Sequence, residues 1–220
     1  VGVEFAELFE DRQLSNDCKA AEKKLVKAAS KVYKKFLASC PAPDAPGSKQ
    51  VTALMTITGL IDAPKADKEF LSINGAQGFS TFYGYYMLEA MAMAGNYQGA
   101  LDVIREYWGA MIDLGATSFW EDFDINWIPN AAPIDELVPE GKKDIHGDCG
   151  AYCYVGFRHS LCHGWASGPT SWLSRHILGV EVIEPGCRQV RITPHLGDLQ
   201  WVKGTFPTPY GELQIYHEKQ

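Results

Sequence analysis

The sequence is short of several things that usually announce a function. No run of apolar residues approaches the roughly 20 needed to cross a bilayer as a helix, so no membrane span is expected. Cationic side chains are outnumbered: 20 Lys and Arg stand against 27 Asp and Glu, a net charge of −7. Phosphate binding needs clustered Lys and Arg, which excludes nucleic acid as a main partner. The opening stretch "VGVEFAELFEDR" has no basic segment followed by an apolar one, so no signal peptide is visible in it. There is no GxSxG, P-loop, strand-following GxGxxG or HExxH, which leaves nucleophilic triads and nucleotide chemistry without a motif. No fixed-period repeat is evident either, which weighs against a solenoid.

What is present is a soluble-type composition rich in rings. Hydrophobic residues make up 46% and aromatic ones 12%, with six Trp and ten Tyr. Such rings fill cores and also form stacking platforms for flat ligands and sugars. The six cysteines are unevenly spaced in a chain too large to need staples, and are read as mostly free thiols.

Apolar residues Ala21, Leu25, Ala28, Ala29, Val32 and Phe36 recur at helical spacing and predict a helix from Asp17 to Ser39, capped by Asn16 or Asp17. "CPAPDAPG" ends it. A second helix is predicted from a Ser48 cap to about Asp62, with a short one after Pro64. "FSTFYGYYMLEAMAMAG" predicts a helix from about Thr81 to Ala94, apolar nearly all round and therefore buried, closed by Gly95. Another runs from Tyr97 to Leu114, closed by Gly115, and the two form a helical hairpin. Phe123 to Gly147 has no period, and so long a loop is usually functional or disordered. Short helices are predicted near Ala151–Arg158 and Pro169–Leu178. Beyond Gly179 alternation in twos, punctuated by Pro and Gly, predicts strands and turns.

Two clusters carry candidate chemistry. "HGDCGAYCYVGFRHSLCHG" holds His146, Cys149, Cys153, His159, Cys162 and His163. Its pairs four apart can share a helix face and hold zinc, but the spacing matches no standard knuckle, and buried cysteines beside aromatics are common core chemistry. The second is "GATSFWEDF", where Glu121 follows Trp120 and precedes Phe123. In the bland reading Glu121 is solvated at a capped turn. In the functional one the rings partly desolvate it, which favours acid–base work. Carboxylates and aromatics beside a long loop suit glycosidic-bond chemistry.

"GFSTFYGYYMLEAMAMAGNYQGALDVIREYWGAMIDLGATSFWEDF" resembles the late helices of bacterial α-L-rhamnosidases, glycoside hydrolase family 78. "SLCHGWASGPTSWLSRHILGV" and "GCRQVRITPHLGDLQWVKGTFPTPYGELQI" resemble the end of the same enzymes. The resemblance spans most of Ser48 to Ile215. It implies a mainly α fold: the second half of an (α/α)6 toroid over residues 1–180, then the start of a C-terminal β-sandwich, a short antiparallel segment, over 181–220. It implies an inverting glycosidase of bacterial origin that releases α-L-rhamnose from glycosides or oligosaccharides, without cofactor. Glu121 matches the family's general base and His163 its sugar-binding histidine; Trp120, by position, borders the sugar. His163 follows Glu121 by 42 residues, a longer interval than in many relatives. No segment matches the family's general acid. The chain is therefore expected to be a C-terminal fragment, inactive alone, with apolar patches or self-association. Rival readings are another glycosidase or a lyase on the same barrel, or a carbohydrate-binding module with Trp120 and Trp165 as stacking platforms.

Overall fold

The computed structural model describes residues 2–39, 42, 45, 47–149 and 159–219. It is about half helical, with a short antiparallel strand segment at the C-terminal end. By contact the chain divides into Val1–Ala42 and Pro43–Gln220. Within the second unit the β segment packs onto the helices that precede it.

The first unit is a pair of helices, α1 (Gly2–Leu8) and α2 (Arg12–Ser39). α2 begins earlier than the apolar spacing indicates because Asp11 caps it: its Oδ1 accepts from the Leu14 N–H at 2.9 Å. That bond satisfies one of the donors every helix start leaves unpaired. Leu14, Leu25 and Val32 lie along one exposed stripe of α2.

The second unit holds the core. α3 (Ser48–Ile57) starts after Gly47, whose φ of 82° turns the chain into the helix, so Ser48 is its first residue and not its cap. It ends short of Asp62, which instead caps α4 (Ala63–Ala66) by accepting from the Lys65 N–H at 3.0 Å. α4 runs on as a π-turn over Asp67–Leu71. α5 (Gly84–Met93) and α6 (Tyr97–Asp113) form the expected hairpin. Gly95 and Gly115 adopt φ of 77° and 90° behind them, and the Asn96 side chain caps α6. As its composition demands, α5 is buried along most of its length; Met87 and Leu88 have no exposed surface. The aperiodic stretch after Phe123 contains a 3₁₀ turn, Ile125–Asn130, and two short parallel strands, β1 (Ala131–Ala132) and β2 (Lys143–Asp144). The helix expected near Ala151–Arg158 lies outside the described residues. α7 (Gly168–Trp172), with Pro169 in its first turn, continues as a π-turn to Ile177.

Indole N–H groups bind this unit across long sequence distances. Trp172 Nε1 donates to the Leu88 carbonyl and Trp108 Nε1 to that of Ala166, both at 3.0 Å. Buried polar atoms must find partners, and these two do so on other elements, fixing α5, α6 and α7 together. β3 (Val180–Val182) pairs antiparallel with β4 (Val190–Ile192), and β5 (Trp201–Thr208) with β6 (Gly211–Glu218). The inner face of this segment closes over Leu178, Val180 and Ile215, whereas Trp201 and Tyr216 on its outer face are exposed. His195 stacks on Tyr97 of α6 at 3.7 Å between ring centres, and Arg105 of α6 grips Asp198 through two bonds of 2.8 and 2.9 Å.

Gly179 joins helices to strands at φ 85°, and a Cβ there would lie 2.4 Å from the Thr193 carbonyl carbon and 2.5 Å from the Pro194 nitrogen. Replacing Gly179 by Ala is expected to destabilise the second unit by about 2 kcal/mol or more, since strained positive φ and a backbone clash add. Urea unfolding followed by tryptophan fluorescence measures it.

Candidate active site: Glu121 and His163

Glu121 is held by its backbone before its side chain does anything. After α6 ends, Phe119 to Glu121 runs alongside Ser160 to His163 in the opposite direction. Glu121 N–H donates to the Ser160 carbonyl at 2.8 Å, and His163 N–H to that of Phe119 at 2.7 Å. The Glu121 carbonyl accepts twice, from Thr81 Oγ1 at 2.6 Å and from Trp165 Nε1 at 2.7 Å. Thr81 is buried at the entry to α5 and Trp165 follows His163, so three distant parts of the sequence meet on one peptide group.

The carboxylate itself accepts from the Ser160 N–H at 2.7 Å through Oε2, and His163 Nδ1 lies 3.9 Å from the same oxygen. A backbone donor at that distance fixes the direction of the carboxylate. At 3.9 Å the imidazole is too far for a direct hydrogen bond, so its Nδ1 stays free of Glu121. The two side chains keep 21% and 32% of their surface exposed, so both face outward together. The rings flanking Glu121 turn the other way: Trp120 is fully buried and meets Phe123 edge-on at 5.9 Å in the core.

Trp120 therefore offers no surface to a ligand, contrary to the expectation that it borders a sugar. The indole at the site is Trp165, 42% exposed and 4.3 Å from the His163 ring. Sequence distance obscured this: the ring next to the carboxylate in the chain points inward, and the ring beside it in space comes from beyond the long loop. Thr81 and Ser160, which set the position of Glu121, carry no signal in the sequence beyond a buried hydroxyl and a loop amide.

The neighbouring carboxylates have other tasks. Asp124 Oδ1 accepts from the Asn126 backbone N–H at 2.9 Å and side-chain amide at 2.8 Å, capping the 3₁₀ turn. Asp122 lies close enough to the Tyr107 phenol to affect its titration. Tyr107 donates to the Phe123 carbonyl, and burial, then the charges of Asp122 and Asp124, hold its pKa well above the ordinary tyrosine range.

Among its described residues the Cys/His cluster does not assemble as a metal site. Cys153 lies outside the described residues. His146 and His159 rings sit edge-on at 5.4 Å, Cys149 is buried and Cys162 exposed. Among the described residues, no group of three or more His, Cys, Asp or Glu side chains is placed to hold a metal ion.

Structure first defines a class: helical hairpins leading into an antiparallel β segment, with an outward-facing carboxylate–imidazole pair bordered by an exposed indole. Comparison with known proteins narrows it. Residues 179–220 match the family described as the bacterial alpha-L-rhamnosidase C-terminal domain. The chain is also similar to a solved glycoside hydrolase family 78 rhamnosidase of Bacillus sp. GL1, with 26% identity and a TM-score of 0.57. That similarity covers 77% of this chain and 16% of the solved one. No curated protein matches. The chain is thus similar to family 78 rhamnosidases over most of its length, and to their C-terminal domain over its last stretch.

Two outcomes follow from the geometry. Thr81→Val, which removes the buried hydroxyl but keeps its shape, is expected to cost about 1–2 kcal/mol in urea unfolding, and Thr81→Ser much less. The second concerns Tyr107. Its raised folded-state pKa means its contribution is complete below the unfolded value of about 10 and is lost as pH rises beyond it. Unfolding midpoints measured from pH 8 to 11 should fall above about pH 10, and Tyr107→Phe should make that fall shallower.

Proposed function

We propose that this chain supplies the water-activating base and part of the sugar site of an inverting α-L-rhamnosidase, whose helical hairpins are half of an (α/α)6 toroid. The observation that carries the reading is the outward carboxylate of Glu121, aimed by the Ser160 N–H and paired at 3.9 Å with His163. Similarity to a family 78 rhamnosidase over most of the chain supports the toroid and the substrate class.

In this mechanism ionised Glu121 accepts a proton from a water molecule as that water attacks the anomeric carbon from the face opposite the leaving group. The Ser160 N–H holds Oε2, which leaves Oε1 to face the water. His163, free of a direct bond to Glu121, takes a sugar hydroxyl. Trp165 covers an apolar face of the ring. An inverting pair needs a second carboxyl about 6.5–9.5 Å away to protonate the leaving oxygen. Asp124 is committed to its cap, and the acid belongs to a part of the enzyme outside these residues. The exposed stripe of Leu14, Leu25 and Val32 on α2 supports self-association of the isolated chain.

In the longer enzyme, Glu121→Gln is expected to lower kcat on an aryl α-L-rhamnoside by about 10²–10⁴-fold. His163→Ala should act mainly on KM, by roughly 10-fold or more, as a hydrogen bond to substrate is lost. Proton NMR of the first product should show the β-anomer, the mark of inversion. The isolated chain should not turn over the same substrate. A fully active Glu121→Gln enzyme would remove this residue from the mechanism.

A further inference from the structure

The β5–β6 hairpin has two faces of opposite character. Side chains alternate along a strand, and the register pairs Trp201 with Glu218, Lys203 with Tyr216 and Thr205 with Gln214. Those six share one face, and every one of them is exposed. The other face carries Val202, Phe206, Leu213 and Ile215, which pack with Leu178 and Val180. A hairpin already buried on one side has no structural use for large rings on the other, yet Trp201 is 58% exposed and Tyr216 56%. The two stand at diagonal positions on paired strands, close enough for both to touch one ligand.

We propose that this outer face is an accessory binding site for a neutral polysaccharide chain, sharing no residue with the Glu121–His163 pair. What surrounds the rings selects the ligand. A protein partner would have to bury Lys203, Glu212 and Glu218, which is costly unless each charge meets a match. An anionic lipid surface attracts faces rich in cations, and here one lysine stands beside two glutamates. The same balance turns away polyanionic chains. A neutral pyranose suits the mixture: its C–H face lies on an aromatic ring while its hydroxyls reach the ammonium, amide and carboxylate groups at the rim. Tyr216 is held for that use, because its hydroxyl donates to Glu218 Oε2 at 2.8 Å and ties the end of the ring to the strand. The face is also long. From Trp201 to Pro207 β5 rises roughly 20 Å, room for several sugar rings in line. At that far end Thr205 and Pro207 border a cleft of about 510 Å³, walled opposite by Ser171, Ser174, Arg175 and Glu181. Further hydroxyl partners therefore lie where a chain stacked on the rings would continue.

The test is affinity electrophoresis of the 220-residue chain in native gels containing galactomannan, xyloglucan, mixed-linkage β-glucan or polygalacturonate. At least one of the neutral polymers should retard the protein, and polygalacturonate should not. Trp201→Ala and Tyr216→Ala should each raise the dissociation constant roughly tenfold, and the double variant should migrate as if no polymer were present. Both side chains are exposed, so the variants should keep the wild-type circular dichroism and melting temperature; Trp201→Phe, which keeps a ring, should retain most of the binding. His163→Ala should be retarded like the wild type. Migration indifferent to every neutral polymer overturns the proposal, as does retardation that the double variant retains or that polygalacturonate matches. So does retardation that His163→Ala abolishes, which would put the polymer at the site already described. A wild-type dimer dispersed by the double variant in sedimentation velocity also overturns it, since the rings would then join copies of the chain. The assignment of Glu121 as base stands or falls apart from these outcomes: an active Glu121→Gln enzyme would leave polymer binding as measured.

Discussion

The site depends on the backbone of one residue. The Glu121 carbonyl accepts from Thr81 and Trp165, and its N–H donates to Ser160. A carbonyl has two lone pairs, and here both are used by side chains from different parts of the sequence. The result is a carboxylate whose Cα is fixed from three sides before its own side chain is counted. Its last freedom, rotation about the side-chain bonds, is reduced by the Ser160 N–H. On the proposed reading, in which Glu121 orients one water molecule, that order of constraint is needed, since small displacements from productive geometry are expensive in rate.

Buried aromatics carry the constraint outward. Tyr107 and Trp108, adjacent on α6, reach in different directions: one donates to the Phe123 carbonyl just after the glutamate, the other to Ala166 just after the tryptophan. Trp172 closes the circuit from α7 to α5. Each ring fills core volume while its single polar atom ends on a loop carbonyl. The loops that make the site are therefore fastened to helices by bonds shielded from water, where they are stronger than at a surface. This explains how two irregular segments some forty residues apart, joined by an aperiodic stretch, keep a fixed alignment.

The regular elements were legible because their signals are local. Gly95 and Gly115 end helices by adopting positive φ, and the apolar character of α5 states its burial directly. Strands after Gly179 follow from alternation. α2 starts before its apolar spacing does because Asp11, five residues ahead of Asn16, caps it. At the site, the type of residue was legible and its direction was not. His163 Nδ1 stands 3.9 Å from Glu121, whereas Trp120, next to the carboxylate in sequence, is buried and Trp165, distant in sequence, is exposed beside it. Whether a ring faces core or solvent is set by the pairing of residues 119–121 with 160–163, and that pairing has no local signature.

Trp165 then has two functions that cannot be separated by position. Through its N–H it fixes the Glu121 carbonyl; through its ring it lies between the imidazole of His163 and the ring of Phe82. On the proposed reading a sugar held by His163 lies against this indole. A ligand that presses on the ring also presses on the hydrogen bond that places Glu121.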